Sequence, residues 1–178
     1  MRADARFFGL VALVLAAAFL RLVPHPAGFA PIAALALFGS AHFSRRWIAI
    51  VLPMLALFLS DAVIGFHEQM PAVYLSFVLV ALLGFVFVRD NQSAARVAGT
   101  SVLGSLVFFV VTNFAVWAQT AMYAKSFEGL VACYVAAIPF LKNSLVGDLM
   151  FNGVLFGAWY ALVKWFPSGL ASGETKAN

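Results

Sequence analysis

Charged residues are scarce in this chain. Asp, Glu, Lys and Arg make up 10% of its 178 residues, whereas hydrophobic residues make up 64%. A soluble domain of this size needs polar side chains over its whole surface, so the composition argues against one. The few charges lie between long apolar runs such as residues 47–66, 70–88 and 97–118. Each run approaches the roughly 20 residues that cross a ~30 Å hydrocarbon core as a helix. The sequence therefore predicts an all-α integral membrane protein.

Several chemistries lack the residues that they need. Cys133 is the single cysteine, which excludes a disulfide within the chain and a Cys-x-x-Cys metal site. The histidines have no HExxH or HxxxH spacing, and there is no P-loop, nucleophile elbow or Rossmann glycine pattern. We therefore expect no enzyme activity, no cofactor and no metal site. We interpret Cys133 as a small packing residue.

Proline, glycine and charged residues divide the chain, which we interpret as one transmembrane domain over residues 1–178, into six predicted spans. These spans cover residues 7–23, 30–43, 46–66, 71–88, 97–118 and 143–165. The apolar segment 129–141 would be only about 20 Å long as a helix. Pro139, Lys142 and Asn143 separate it from the last span. We interpret this segment as a short re-entrant or interfacial helix, and a seventh span is the alternative.

The first predicted span also has features of a secretory signal peptide. Arg2 and Arg6 precede an apolar stretch that contains a run of small residues at 16–18. The apolar run continues to Val23, however, and Arg21 lies near its end, where a long side chain can reach the interface. We therefore interpret this stretch as a retained first helix.

The lysines and arginines predict how the bundle is oriented. With six spans and cytoplasmic termini, eight of the eleven face the cytoplasm, and Arg21, Lys125 and Lys142 face outward. We therefore expect a multi-pass protein of the bacterial cytoplasmic (inner) membrane with both termini in the cytoplasm. The basic residues are scattered at helix ends, which argues against a nucleic-acid partner despite a net charge of +4.

This orientation places most of the unusual polar residues at or just below the outer surface. An ionised side chain within a span costs about 2.5–3.5 kcal/mol at the bilayer centre, so Asp61 and Asp148 need partners or a wet cavity. Arg21 and Lys142 are the available cations. Either such pairs hold the helices together, or the polar residues line an outward-facing ligand cavity closed by the loop at residues 24–26. The candidate ligand-binding residues are Arg21, His25, Phe29, Asp61, His67, Glu68, Asn113, Trp117, Lys142, Asn143 and Asp148.

Small residues four positions apart let membrane helices approach closely, because no hydrophobic force drives helices together in lipid. The pairs with this spacing are Ala12/Ala16, Ser101/Ser105 and Gly153/Gly157. We interpret the alanine and glycine pairs as helix-packing or partner contacts. His42, which lies close to Arg45 and Arg46 at the inner end, we interpret as an interfacial anchor.

Four blocks of sequence resemble a bacterial family of small uncharacterised membrane proteins. They are RLVPHPAGFAPIAALALFGSAHF, LFLSDAVIGFHEQMPAVYLSF, VTNFAVW and ACYVAAIPFLKNSLVGDLMFNGVLFG. Their wider pattern is a proline loop, a short second helix, a Ser-Asp pair near the end of the third span and a Pro-Phe-x-Lys entry to the last. This pattern is similar to the S components, the six-helix substrate-binding subunits of energy-coupling factor (ECF) vitamin transporters.

The resemblance implies a partner and a class of ligand. S components capture a vitamin or related micronutrient, cobalamin among the candidates, and dock through small residues of the first helix onto a transmembrane coupling subunit driven by ATPases. Ala12 and Ala16 match that small-residue pattern. A solitary relative handles cobalamin through a cysteine that contacts cobalt, and the resemblance does not place Cys133 at the position of that cysteine.

We therefore expect a substrate-binding membrane protein for uptake of a small vitamin-like solute, with the lipid bilayer and that small molecule as its partners. The alternative is a small membrane scaffold or accessory subunit that has no ligand and whose buried charges only hold helices together. A vitamin-biosynthesis operon near the gene would favour uptake, and a respiratory or secretion operon would favour the accessory role.

Overall fold

The computed structural model describes residues 2–24, 29 and 31–165, and all regular structure in this part of the chain is helical. The helices are α1 (Arg2–Leu20), α2 (Ile32–His42), α3 (Arg46–Ile64), α4 (Met70–Phe87), α5 (Ala94–Gln119) and α6 (Phe127–Trp165). Four of them, α3 to α6, are long and apolar enough to cross a membrane, whereas the apolar parts of α1 and α2 are shorter. The predicted all-helical fold, with helices long and apolar enough to cross a membrane, is confirmed at this level, and the six-span topology stays a prediction.

The outer surface of the bundle is strongly apolar. Large hydrophobic side chains such as Phe8, Val63, Val86 and Phe114 are more than half exposed, and they lie on four different helices. Exposed apolar area on this scale is unfavourable in water but suits a surface that contacts lipid chains. The burial pattern therefore agrees with the composition in indicating a membrane environment.

The centre of the bundle is the short helix α2. Every described side chain from Ala33 to His42 is buried, and α2 contacts each of the other five helices. Its 11 residues rise about 16 Å, roughly half of a ~30 Å hydrocarbon core. Pro31 occupies the N-cap position, where its missing N–H costs no intrahelical hydrogen bond. The helix therefore begins inside the bundle and not at its surface.

Gly84 allows α2 to lie close to α4. A Cβ atom added at Gly84 would overlap Ser40 Oγ and lie 2.9 Å from Ser40 Cβ and 3.0 Å from Leu37 Cδ1. These distances are shorter than van der Waals contact, so any larger residue would have to push the two helices apart. Gly84 is thus required for the depth at which α2 is buried.

Gly84→Ala is expected to lower the Tm of the purified protein in detergent by several degrees, because overpacking a close contact costs about 1–3 kcal/mol. Gly99→Ala in α5 is the matched control, since a Cβ atom there meets no atom within 4 Å. Differential scanning fluorimetry of both variants measures the difference. A Tm for Gly84→Ala equal to that of the control would contradict a tight contact between α2 and α4.

The last helix differs from the sequence prediction. Helix α6 runs without interruption for 39 residues, so the predicted break between segment 129–141 and the last span is wrong. No separate crossing is left for a seventh span in the described residues either. Pro139 lies inside α6, where a proline removes one backbone hydrogen bond and tends to kink a helix without having to end it. At about 58 Å, α6 exceeds the ~45 Å thickness of a bilayer with its headgroups.

Candidate binding site

Asp61 is fully buried near the end of α3 and forms an ion pair with Arg21, which follows the last residue of α1. The same guanidinium nitrogen of Arg21 donates hydrogen bonds to Ser60 Oγ at 2.6 Å and to the backbone oxygen of Leu57 at 3.4 Å. Tyr74 of α4 donates its hydroxyl to the second carboxylate oxygen of Asp61 at 2.9 Å. This cluster therefore joins α1, α3 and α4 through one buried carboxylate.

Little space remains beside this ion pair. The void lined by Ala18, Arg21, Pro31 and Leu35, among others, holds about 10 Å³, which is about the space of one water molecule. Both oxygens of Asp61 already accept hydrogen bonds from the protein. The arrangement therefore suits a structural connection between helices better than a site for an organic ligand.

Asp148 of α6 lies beside the first turn of α2. It is 4% exposed, and Ser105 of α5 donates its hydroxyl to Asp148 Oδ2 at 2.7 Å. The backbone N–H of Ala34, in the first turn of α2, donates a hydrogen bond to the same carboxyl group. A carboxylate at a helix N-terminus satisfies a free N–H group and has the sign that the helix dipole favours. Lys142, one of the two cations that the sequence offers to the buried carboxylates, is exposed.

The backbone oxygens at the C-terminal end of α2 accept hydrogen bonds from side chains of residues that follow α4. Arg89 donates to the backbone oxygens of Ser40 at 3.1 Å and Ser44 at 2.7 Å. Gln92 donates to the backbone oxygen of Ala41 at 3.2 Å. The buried helix therefore has a carboxyl group at its N-terminus and a guanidinium group at its C-terminus, which is the favourable order for the dipole.

A second set of hydrogen bonds between α5 and α6 lies one turn from Asp148. Asn152 is 2% exposed, and its Nδ2 donates to Ser101 Oγ at 3.0 Å and to the backbone oxygen of Asp148 at 2.9 Å. Its Oδ1 is buried and has no hydrogen-bond partner in the described part of the chain. A buried acceptor without a donor costs about 1–3 kcal/mol, so this atom requires an explanation.

Asn152 lines a cavity of about 570 Å³ between the first turns of α5 and the second half of α6. The volume falls within the ~300–1,000 Å³ range of small-molecule sites. Small residues form much of its surface, namely Ala94 and Ala98 of α5 and Gly153 and Gly157 of α6. His42 and Gln92 contribute polar groups at one end. We call this space the α5–α6 cavity; its residues at the ends of α2 and α6 lie at the end of the bundle opposite Arg21.

Aromatic rings form another part of the cavity wall. The ring of His42 lies 5.0 Å from that of Phe156 and 5.7 Å from that of Trp159, between ring centroids. His42 Nδ1 donates to the backbone oxygen of Phe38 at 3.0 Å, and the His42 side chain is only 7% exposed. The interpretation of His42 as an interfacial anchor is therefore wrong, because its side chain is enclosed by Phe38, Phe156 and Trp159. The guanidinium of Arg6 lies 5.9 Å from the Trp159 ring centre.

No candidate ligand residue predicted from the sequence is among the described residues that line the α5–α6 cavity. Phe29 packs on Phe151 at 5.5 Å between ring centroids and on Gly147. His25 lies outside the described residues. Among the other predicted ligand residues, His67, Glu68 and Lys142 are exposed, and Asn143 is half-buried.

Asn113 and Trp117 lie near the end of α5, where their polar groups bond to backbone atoms. Asn113 Nδ2 donates to the backbone oxygen of Phe109 at 2.8 Å, and Trp117 Nε1 donates to that of Ala124 at 2.9 Å. The Cys133 thiol is buried and lies 3.5 Å from the backbone oxygen of Asn113. The Cys133 contact ties α5 to the start of α6, whereas the hydrogen bonds of Asn113 and Trp117 are made within α5 and to the loop after it.

The glycine and alanine pairs have different surroundings from those expected for helix packing, whereas Ser101 and Ser105 are buried and bonded to α6. A Cβ atom at Gly153 or Gly157 would meet no atom within 4 Å, so these glycines line open space and pack against no other helix in the described residues. Ala12 and Ala16 are exposed on α1. A contact of either pair with a partner protein stays a prediction.

Sequence reasoning missed Asn152, His42 and Gln92 as candidate site residues. One signal was available for Asn152, which follows Asp148 by one helical turn, just as Ser105 follows Ser101. Two polar pairs with the same spacing in two neighbouring apolar helices predict a double hydrogen-bonded contact. His42 and Gln92 carried no comparable signal, since each stands among loop and interface residues in the sequence.

The chain belongs to DUF6580, a family of unknown function, whose family model matches residues 1–169. No curated protein and no solved structure matches the chain. Its function must therefore be argued from the geometry of the described residues.

Proposed function

We propose that this member of the DUF6580 family is a membrane-embedded binding protein for a small solute, and that the α5–α6 cavity is its binding site. The observation that carries the proposal is the cavity of about 570 Å³, whose largely apolar wall includes the polar residues His42, Gln92 and Asn152. Binding pockets are concave, mostly apolar and supplied with a few polar groups that orient the ligand.

We propose further that binding serves the uptake of a vitamin-like solute, as in the S components of ECF transporters. The sequence resemblance supports this role, and Ala12 and Ala16 are exposed on α1 and accessible to a coupling subunit. With cytoplasmic termini, the α5–α6 cavity lies at the cytoplasmic end of the bundle. In an uptake protein, a cavity in that position would hold the solute shortly before its release.

Reporter fusions test the orientation in the bacterial inner membrane. A fusion after Gln69 should report the periplasm, and a fusion after Trp165 should report the cytoplasm, because most lysines and arginines then face inward. The reverse result would place the cavity at the outer end and make it a capture site in place of a release site.

Native mass spectrometry of the protein in mild detergent tests the binding function. We expect a small molecule to remain bound to the wild-type protein and to be lost from Gly153→Leu, whose side chain would occupy the cavity. The fold should tolerate this change, since a Cβ atom at Gly153 meets nothing within 4 Å. Gly99→Leu is the matched control, because it makes the same change at an equally open glycine outside the cavity.

The scaffold alternative predicts a different pattern. The buried pair of Arg21 and Asp61 is the observation that favours it, because this pair already connects three helices without a ligand. A wild-type protein that retains no small molecule, or a Gly153→Leu variant that retains it as the wild type does, would refute the cavity as the binding site. A scaffold role would then be the better account.

A further inference from the structure

We infer that a groove between the end of α4 and the start of α5 binds a phospholipid with an anionic headgroup. The groove is lined by Phe87 of α4 and by Arg96, Gly99, Thr100 and Leu103 of α5, and we call it the α4–α5 groove. It holds about 300 Å³. The α5–α6 cavity is lined by other residues of α5, so this inference goes beyond the proposed solute site and does not depend on it.

The four α5 residues of the groove form one stripe along the helix. They follow one another at three- or four-residue spacing, so they lie on the same side of α5. Leu103 lies about 10 Å from Arg96 along the helix axis. Gly99 leaves room for a ligand, since a Cβ atom there would meet no atom within 4 Å. The groove therefore runs along α5 from the charged Arg96 to the apolar Leu103.

Thr100 carries a hydroxyl that the protein leaves without a partner. The residue is 5% exposed, and its hydroxyl makes no hydrogen bond within the part of the chain that the structure describes. The described side-chain atoms that are both fully enclosed and unbonded belong to Gln69 and Asn152, so the Thr100 hydroxyl is accessible from the groove that it lines. Thr112 of the same helix bonds instead to the backbone oxygen of Phe108. The hydroxyl of Thr100 is therefore available to an acceptor on a ligand.

A phospholipid presents its chemical groups in the order that the groove requires. Its phosphate lies at the membrane interface, its ester oxygens lie slightly deeper, and its acyl chains lie in the hydrocarbon core. Arg96, the third residue of α5, has the charge that binds a phosphate. Thr100, about 6 Å further along the helix, donates to an ester oxygen. Leu103 and Phe87, which are exposed, contact an acyl chain.

The charges at this end of the bundle favour an anionic headgroup over a zwitterionic one. Arg46 and Arg89 lie at the same end as Arg96, since their guanidinium groups are 5.8 and 5.6 Å from the centre of the Phe85 ring near the end of α4. Asp90, which is exposed, offsets one of these charges. The excess is positive, and basic residues near the membrane surface attract anionic lipids. The occupant is therefore an acidic phospholipid such as phosphatidylglycerol.

Native mass spectrometry of the full chain in detergent, titrated with lipid, tests the inference. The probes are palmitoyl-oleoyl phosphatidylglycerol and palmitoyl-oleoyl phosphatidylcholine, which have the same chains and differ in headgroup charge. We expect wild-type protein to bind the anionic lipid about fivefold more tightly, since one arginine near the membrane surface contributes a preference of that size. Gly99→Leu should lose this binding, because its side chain would occupy the groove. Gly153→Leu is the matched control, since it makes the same change at an equally open glycine outside the groove.

Variants of the two polar groove residues separate their contributions. Arg96→Gln should remove the preference for phosphatidylglycerol. Arg45→Gln should keep it, since Arg45 is exposed at the start of α3 and does not line the groove. Thr100→Val should weaken the binding of both lipids alike, by about threefold, because both carry the ester group that the hydroxyl contacts.

Several results would overturn the inference. One is equal affinity of the wild type for the two lipids, and another is a preference that Arg96→Gln retains. A preference lost as fully in Arg45→Gln as in Arg96→Gln would show that the charge of this end suffices without the groove. Competition by glycerol phosphate, which has no acyl chains, would make the occupant a soluble phosphate compound. A dimer that Gly99→Leu dissociates would make the groove an interface between two copies of the chain.

Discussion

Asp61→Ala is expected to lower the free energy of unfolding by about 3–5 kcal/mol, one of the two largest effects in this protein. The substitution leaves the guanidinium of Arg21 without its counter-ion in a site that admits almost no water, and an uncompensated buried charge has a cost of that size. Tyr74 would lose the acceptor of its hydroxyl as well. Equilibrium unfolding in mixed detergent micelles, followed by circular dichroism, measures the change.

Glu68→Ala is the control for Asp61→Ala. Glu68 is a carboxylate only a few residues further along the chain, but it is exposed, so its removal should change stability by less than about 0.5 kcal/mol. The double variant Arg21→Ala/Asp61→Ala should be less destabilised than the sum of the two single variants, because it removes both charges together. Additive effects, or a loss no greater than that of Glu68→Ala, would show that the two charges do not depend on each other.

Asp148→Ala is expected to lower the free energy of unfolding by about 2–4 kcal/mol. The substitution removes the carboxyl group that caps the N-terminus of α2, and it leaves the Ser105 hydroxyl and the Ala34 N–H without an acceptor. The same unfolding experiment measures this loss. Hydrogen exchange gives a local result, since the amide protons of the first turn of α2 should exchange faster in this variant than in the wild type.

Two milder variants separate the contributions at Asp148. Asp148→Asn keeps an oxygen that accepts a hydrogen bond, so it should retain much of the stability that Asp148→Ala loses. Ser105→Ala removes one hydroxyl and should cost about 1 kcal/mol. Unchanged exchange in the first turn of α2 in Asp148→Ala would contradict the capping role, whatever the loss in global stability.

The long spans could be predicted from the sequence because the membrane sets their length. The run of apolar residues in α3 and α4 ends where charge or a turn begins, and the observed bounds lie close to the predicted ones. For α6, proline and charge predict a break near residue 141 that the structure does not have. Pro139 and Lys142 would end many helices of soluble proteins, but a continuous helix in a membrane keeps nearly all its backbone groups bonded and is therefore favoured.

The central position of α2 could not be read from its sequence. The prolines before it predict a short helix, but its residues are apolar on all sides and carry no periodic pattern that would tell a buried face from a lipid-facing one. For the same reason His42 was placed at the interface. Only the contacts with α4 and α6 show that this end of α2 is enclosed by protein.

Of the buried polar groups, the sequence predicts only those that carry charge. The high cost of a buried carboxylate pointed to Asp61, Asp148 and Arg21 before the structure was known, and the structure places an ion pair between two of them. Asn152 is neutral and less costly to bury, so its importance depends on an unpaired atom that the sequence does not reveal. The cavity beside it arises from the packing of α5 on α6, which no local motif encodes.

The position of α2 also bears on the order in which the protein is made. The ribosome synthesises α2 early, but the side chains that satisfy its two ends, Arg89, Gln92 and Asp148, emerge much later. Until α6 has left the ribosome, α2 is a half-length apolar helix with unsatisfied polar ends in or near the bilayer. Nascent chains that stop after Gln119 should therefore be degraded faster in pulse-chase experiments than chains that reach Trp165, and equal lifetimes would show that another factor protects α2 during synthesis.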